Sequence, residues 1–244
     1  MIKGYLSEIF TSFQGEGLHA GRRHLFIRLG GCNLRCRYCD TPGSLERATS
    51  FRICRGGAEA EEVSNPVSPA NVLEHVDRLL ATEGAVDGVA LTGGEPLLQA
   101  PFLAALLQGP LPRPRLLETN GMLPGPLEQV LPLVDSVSMD IKLPSNTGEP
   151  EFWAAHERFL ALGRGKIYVK ILVDEKTHAS EVERAAAMIG ARAPETPVFL
   201  QPIMDDHGRV DIDADMLRGH FHVARRHATD VRVLPQTHKI LGIV

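Results

Sequence analysis

The sequence predicts an α/β fold made of βαβ units around a mostly parallel sheet, layered or barrel-like. Three observations carry this. Short apolar, β-branched runs recur at 24–29, 88–91, 115–118, 136–141, 166–173, 197–201 and 231–234, each of a length suited to a buried strand. Helix-compatible stretches lie between them, and strand alternating with helix is the pattern of a parallel sheet. The chain has 244 residues, 43% apolar and 23% charged, enough for a full hydrophobic core in one domain spanning 1–244. In such folds the active site gathers at the carboxyl ends of the strands.

The clearest helix is 69–82, where Val72, Val76, Leu79 and Leu80 fall on one face and Pro69 suits the first turn. Further helices are expected at 101–107, 149–162, 178–191 and 213–227. The segment 42–69 breaks the rhythm. It contains Gly43, Gly56, Gly57, Pro66 and Pro69, an acidic run and no sustained apolar period, and reads as an irregular excursion suited to a lid or binding loop. Three prolines in 109–114 suit a linker between a helix and the next strand. There is no internal repeat.

Charge and targeting signals narrow the function. Twenty-six basic against 30 acidic residues give a net charge of −4, so no global positive field draws the chain to nucleic acid or an anionic membrane. Lys3 and Glu8 interrupt the N-terminal stretch where a signal peptide needs an apolar run, and no later run approaches membrane-spanning length. A cytoplasmic protein is the expectation. Three of the four cysteines, Cys32, Cys36 and Cys39, lie within eight residues while Cys54 stands apart, which in a reducing compartment points to metal or cluster ligation.

The spacing C-x3-C-x2-C follows a predicted strand. Three thiolates can hold three irons of a four-iron, four-sulfur (4Fe–4S) cluster, leaving the fourth iron open to a reactant. A zinc site completed by His19 or His24 is the competing reading, but structural zinc sites usually present two pairs of ligands rather than a single run. Leu91-Thr92-Gly93-Gly94-Glu95-Pro96 ends the next strong strand. Two glycines permit close backbone approach, Glu95 offers an acceptor for an ammonium group, and Pro96 turns the chain into a helix.

Together these motifs resemble the radical S-adenosylmethionine (SAM) superfamily, in which an aromatic residue, here Tyr38, precedes the last cysteine. The resemblance narrows to the 7-carboxy-7-deazaguanine synthases. It rests on Phe13-Gln14-Gly15-Glu16-Gly17, Phe26-Ile27-Arg28-Leu29-Gly30-Gly31-Cys32, Asp40-Thr41, Glu118-Thr119-Asn120-Gly121, Ser138-Met139-Asp140-Ile141-Lys142, Gln201-Pro202 and the stretch Pro235-Gln236-Thr237-His238-Lys239-Ile240-Leu241-Gly242. Where many members have Ser-Pro-Lys, this chain has Ser138-Met139-Asp140.

The resemblance implies a reduced, modified partial (β/α)6 barrel and an enzyme that converts 6-carboxy-5,6,7,8-tetrahydropterin to 7-carboxy-7-deazaguanine with loss of ammonia. It implies Cys32, Cys36 and Cys39 as cluster ligands and Thr41 as a magnesium ligand. SAM is expected at Tyr38, Cys39, Asp40, Gly94, Glu95, Ser138, Asp140, Gln201 and Pro202. Substrate is expected at Phe13, Gln14, Gly15, Glu16, Arg28, Thr92 and the main chain of Val244. An amide and a carboxylate, Gln14 and Glu16, suit the pyrimidine edge of a pterin, and the planar fork of Arg28 suits a carboxylate or heterocycle. No residue is assigned as general acid or base. An electron donor such as flavodoxin or ferredoxin and a homodimer are further implications. A glycyl-radical activating enzyme would share the cysteines and the Gly-Gly-Glu-Pro segment without needing Gln14 and Glu16.

Overall fold

A computed structural model describes residues 2–56, 60–205 and 207–243. In chain order its elements are β1 (Leu6–Phe13), β2 (Arg23–Leu29), β3 (Ser50–Ile53), β4 (Glu61–Ser64), α1 (Pro69–Glu83), β5 (Gly88–Gly93), α2 (Ala100–Leu106), β6 (Arg115–Thr119), α3 (Pro124–Val130), β7 (Ser136–Asp140), α4 (Pro144–Thr147), α5 (Trp153–Leu162), β8 (Ile167–Val173), α6 (Ala179–Arg192), β9 (Val198–Pro202), α7 (Ala214–Arg225), β10 (Val231–Val233) and α8 (Thr237–Leu241). They form one sheet in the order β10-β9-β8-β7-β6-β5-β2-β1-β3-β4. From β2 through β5 to β10 every neighbouring pair is parallel, as the alternation of strand and helix predicts. Among the described residues no helix is long and apolar enough to cross a membrane.

All seven expected strands form. β1 was not expected; it pairs antiparallel with β2, Phe10 opposite Phe26. Its sequence Leu-Ser-Glu-Ile-Phe-Thr-Ser-Phe mixes apolar and hydroxyl residues without a clean period, so only the pairing reveals it. The excursion at 42–69 needs correction. It contains β3 and β4, an antiparallel pair that joins the sheet through β1, with Phe51 and Ile53 buried. Four-residue strands are too short to show a period among glycines and prolines. Residues 57–59 of this segment lie outside the described residues. α3 was also missed because Pro124, Gly125 and Pro126 open it, two prolines being tolerated in a first turn where no intrahelical donor is needed.

α1 follows the predicted pattern. Ser68 caps it by accepting from the Asn71 amide at 3.3 Å, and Val72, Val76 and Leu79 are buried. One face of the sheet packs against the helices in the main core, which includes Ile27, Leu91, Leu117, Val137, Ile171 and Leu200. The other face carries a smaller apolar cluster of Phe10, Phe26, Ala90, Leu116, Tyr168 and Phe199, in which Phe10 and Phe26 stack with centroids 4.9 Å apart. Side chains alternate across a strand, so the same face reappears two residues on. Phe26 gives way to Arg28, Ala90 to Thr92, Leu116 to Glu118, Tyr168 to Lys170 and Phe199 to Gln201. An apolar floor thus becomes a polar rim at the carboxyl ends of the strands.

Candidate active site

That rim opens into a cavity of about 530 Å³. Cys32, Cys36 and Cys39 line it from the loop after β2, and none forms a disulfide. The loop is fixed by its backbone: Gly31 N donates to Ser44 O at 2.8 Å, Cys32 N to Leu45 O at 3.0 Å, and Glu95 N to Gly31 O at 2.8 Å. Gly31 has φ +100°, a region that suits glycine. Asn120 Nδ2 donates to Asn33 Oδ1 at 2.9 Å and ties the loop to the end of β6. Burial pushes the Cys32 and Cys36 thiols up, and Cys32 is raised further by Cys39 and Cys36 by Cys32. Neighbouring thiols that resist ionisation alone suit a cationic iron–sulfur group, which supplies the missing positive charge. The donor set therefore fits a cluster held by three thiolates.

Gly94 lines the same cavity, and a Cβ built on it would lie 2.5 Å from Gly31 O and 2.6 Å from Ser44 O. Its lack of a side chain lets the end of β5 pack on the cysteine loop. Glu95 is fully buried. Its Oε1 accepts from Leu97 N at 3.0 Å and Thr119 Oγ1 at 2.9 Å, and its Oε2 accepts from Asn120 N at 2.8 Å. Burial, only partly offset by these donors, pushes its carboxyl up to about 7.

The same cavity carries a network of charges. Lys170 donates to Glu16 Oε2 and lies 3.2 Å from Asp140 Oδ1, while Lys142 Nζ meets Asp140 Oδ2 at 2.8 Å. Glu16 Oε1 accepts from Gln201 Nε2 at 2.9 Å and from Gln236 Nε2 at 2.8 Å. Burial alone would raise the Glu16 carboxyl, but Lys170 and the amide donor of Gln236 outweigh it and hold it at about 2. Burial likewise opposes the charge on Lys170, which Asp140 and Glu16 restore, keeping it well above the usual lysine value. Gln14 is oriented at both ends: Nε2 donates to Glu118 Oε1 at 2.7 Å and Oε1 accepts from Glu16 N at 3.2 Å.

Of the positions expected to meet substrate, Phe13, Gln14, Gly15, Glu16, Arg28 and Thr92 all line the cavity. Arg28 is also engaged on its far side, Nε donating to Glu8 Oε1 at 2.7 Å with the guanidinium 5.5 Å from the Phe10 ring centre. Val244 lies outside the described residues. Of the positions expected to meet SAM, Tyr38, Cys39, Asp40, Gly94, Asp140 and Gln201 line the cavity, whereas Glu95, Ser138 and Pro202 are buried outside its lining. Thr41 lines it as well, its hydroxyl 3.9 Å from Cys39 Sγ. Among the described residues of 42–69 only Leu45 reaches the lining, whereas the far end of the chain contributes several residues to it. Thr237 N donates to Gly15 O at 3.0 Å, and His238, Lys239, Gly242 and Ile243 face the cavity.

Sequence reasoning missed Lys170 altogether and gave Glu118, Gln236 and His238 no role. The signal for Lys170 was present: a lysine inside the apolar run Ile167–Val173 is rarely buried without a partner.

A family model of the radical SAM superfamily matches residues 26–159. The chain is 37% identical to the 7-carboxy-7-deazaguanine synthase of Geobacter sulfurreducens, over 97% of this chain and 96% of that protein. It is 36% identical to the enzyme of that name from Methanopyrus kandleri, over 97% and 93% respectively. Among solved structures, that of QueE from Escherichia coli aligns with a TM-score of 0.61 at 20% identity, covering 96% of this chain and 94% of that one. A radical SAM methyltransferase from Sphaerobacter thermophilus aligns with a TM-score of 0.57 at 12% identity, over 94% and 77%. Three cysteines opening on a cavity at the carboxyl ends of a parallel sheet, with full-length relatives of one kind, place this chain in the 7-carboxy-7-deazaguanine synthase family of the radical SAM superfamily.

Proposed function

We propose that this radical SAM enzyme converts 6-carboxy-5,6,7,8-tetrahydropterin to 7-carboxy-7-deazaguanine with release of ammonia, in 7-deazapurine biosynthesis of the queuosine type. The observation that carries this reading is that the three cysteines and the Gln14, Glu16, Arg28 and Thr92 side chains line one cavity. Its volume of about 530 Å³ suits a small heterocycle. When bound, the cluster and SAM supply the radical that removes a hydrogen atom from the substrate and later returns it.

The chain's own residues then bind, orient and shield. Glu16, ionised and fixed by three donors, reads the N–H groups of the pyrimidine edge; Gln14 is held beside it. Arg28 meets the substrate from β2 with its orientation locked by Glu8. Thr41 offers a hydroxyl oxygen to magnesium, which prefers oxygen donors. Asp140, neutralised by Lys142 and Lys170, presents a carboxylate edge to the SAM end of the cavity. The apolar floor of Phe10, Phe26 and Tyr168 excludes water from below, and the 236–243 segment covers the cavity from above. We also infer a cytoplasmic homodimer reduced by flavodoxin or ferredoxin.

The test is to incubate anaerobically reconstituted, reduced enzyme with SAM, magnesium and carboxytetrahydropterin. The deazaguanine product and ammonia are expected in equal amounts. Cleavage of SAM with no deazaguanine would overturn the substrate assignment.

A further inference from the structure

We propose that Lys170 is a positioning residue that clamps the Glu16 carboxylate to Asp140 and so sets how tightly the enzyme recognises its pterin. This rests on the functional reading above, in which Glu16 meets the pyrimidine edge. Lys170 comes from the middle of β8, is 7% exposed, and has Asp140 as its register partner on β7. Its ammonium reaches both carboxylates, Glu16 Oε2 by a short hydrogen bond and Asp140 Oδ1 at 3.2 Å. Glu16 comes from a distant part of the chain, the turn after β1, 154 residues away in sequence. Among the described residues no strand pairing connects that turn to β8, so it is the ion pair that ties the Glu16 carboxylate to β8 and Asp140.

The other donors on Glu16 cannot replace it. Gln201 Nε2 and Gln236 Nε2 both go to Oε1, which leaves Oε2 to Lys170 and to the ligand. They are neutral amides and bring no charge. The remaining acidic groups of the cavity are Glu118, which takes the amide of Gln14, and Asp40, which takes the amide of Gln236. Lys142 is spent on the far oxygen of Asp140. Removing the Lys170 ammonium would leave two largely buried carboxylates facing each other with the cation between them gone and Lys142 held on the far oxygen of Asp140, an arrangement a protein relieves by moving or protonating one of them. Either response takes Glu16 out of the geometry and charge needed to accept N–H groups from a pterin.

The geometry therefore assigns Lys170 to the binding of substrate through Glu16, with the chemical step left to the cofactors. The experiment uses reconstituted enzyme carrying Lys170→Met, Lys170→Arg, Glu16→Gln or the Met/Gln pair. Equilibrium binding of 6-carboxypterin, the oxidised and unreactive form of the substrate, is measured beside iron content, KM and kcat. Lys170→Met is expected to weaken pterin binding and raise KM by about tenfold or more, with iron content unchanged and kcat altered much less. Lys170→Arg should recover most of the affinity, since a guanidinium can bridge two carboxylates. The double variant should be no weaker than the worse single one, because both remove the same interaction.

Pterin affinity within twofold of wild type in Lys170→Met, or losses that simply add in the pair, would overturn the proposal. If Lys170→Met fails to hold its cluster, Lys170→Arg and Glu16→Gln decide: strong binding in the first with weak binding in the second supports the clamp, and equal weakness overturns it. Wild-type enzyme that binds no pterin at all would instead overturn the functional reading, and this proposal with it.

Discussion

Gln236 Nε2 donates to Glu16 Oε1 at 2.8 Å, joining residues 220 positions apart, and the same nitrogen donates to Asp40 at 3.1 Å. One buried amide thus connects the turn that carries Glu16, the loop that carries the cysteines and the C-terminal segment lining the cavity. Hydrogen bonds to charged groups contribute about 1.5–3 kcal/mol, enough to hold the Glu16 carboxylate in place without deciding the fold. Gln236→Ala is expected to raise KM for carboxytetrahydropterin about tenfold while iron content stays at the wild-type level. Steady-state kinetics beside iron analysis checks this, and an unchanged KM would refute the link.

The four cysteines should separate cleanly. Alanine at Cys32, Cys36 or Cys39 is expected to abolish incorporation of about four irons per chain. Cys54→Ala should leave it intact. Cys54 lies just beyond β3, its backbone bonded to Ile9 and its half-buried side chain packed against the smaller apolar cluster, so its loss costs about 1 kcal/mol of stability or less. Iron lost in the Cys54 variant would reopen the ligand assignment.

Thr41→Ala should reduce the response of the rate to added magnesium more than it reduces iron content. Its hydroxyl borders the cavity beside Cys39 without being a thiolate donor. A magnesium titration of the variant checks the point; equal loss of metal response and cluster would count against a magnesium ligand here.

Gly94→Ala should destabilise the protein by about 1–3 kcal/mol, since the added methyl meets two backbone oxygens that cannot rotate away. Loss of cluster during reconstitution should accompany it, because those oxygens belong to Gly31 in the cysteine loop and Ser44 after it. Chemical denaturation with iron analysis measures both, and wild-type values would show that the packing is looser than described.

His156 gives a prediction for pH. It is fully buried on α5, with Nε2 3.3 Å from Asn120 O, and burial lowers its ring from the ordinary 6.5 to about 4. The unfolded chain therefore takes up a proton between pH 6.5 and 4 that the folded protein does not, and stability falls as pH falls through that window. Lowering pH from 7 to 5 should remove about 2 kcal/mol through this group alone. His156→Gln, which cannot titrate, should lose correspondingly less over the same interval; urea denaturation at both pH values measures the difference. An identical pH response in the two proteins would show that His156 is not the titrating group.

Much of the site could be read along the chain because its motifs are local. The cysteine run, Phe13-Gln14-Gly15-Glu16-Gly17 and the Gly93-Gly94 turn each sit within a few residues, at or beside strand ends. The alternation of apolar runs with helical periods likewise exposed seven parallel strands. What escaped was weak in period or long in range. β1, β3 and β4 depend on pairing across the sheet edge rather than on their own propensity. Lys170 went unremarked within the β8 run, and only the approach of Glu16 and Asp140 gives its charge a purpose.

The sequence by itself determined the chemistry on offer: three closely spaced thiolates for an open-sited cluster, and an amide, carboxylates and an arginine for a small polar ligand. Tertiary structure alone decided which groups remain free to use it. It committed Glu95 to three protein donors, tied Arg28 to Glu8, and brought Lys170, Gln201 and Gln236 onto Glu16. The reason is physical: identity and spacing fix what a side chain can donate or accept, whereas burial and long-range neighbours fix its charge, its direction and the lone pairs left over.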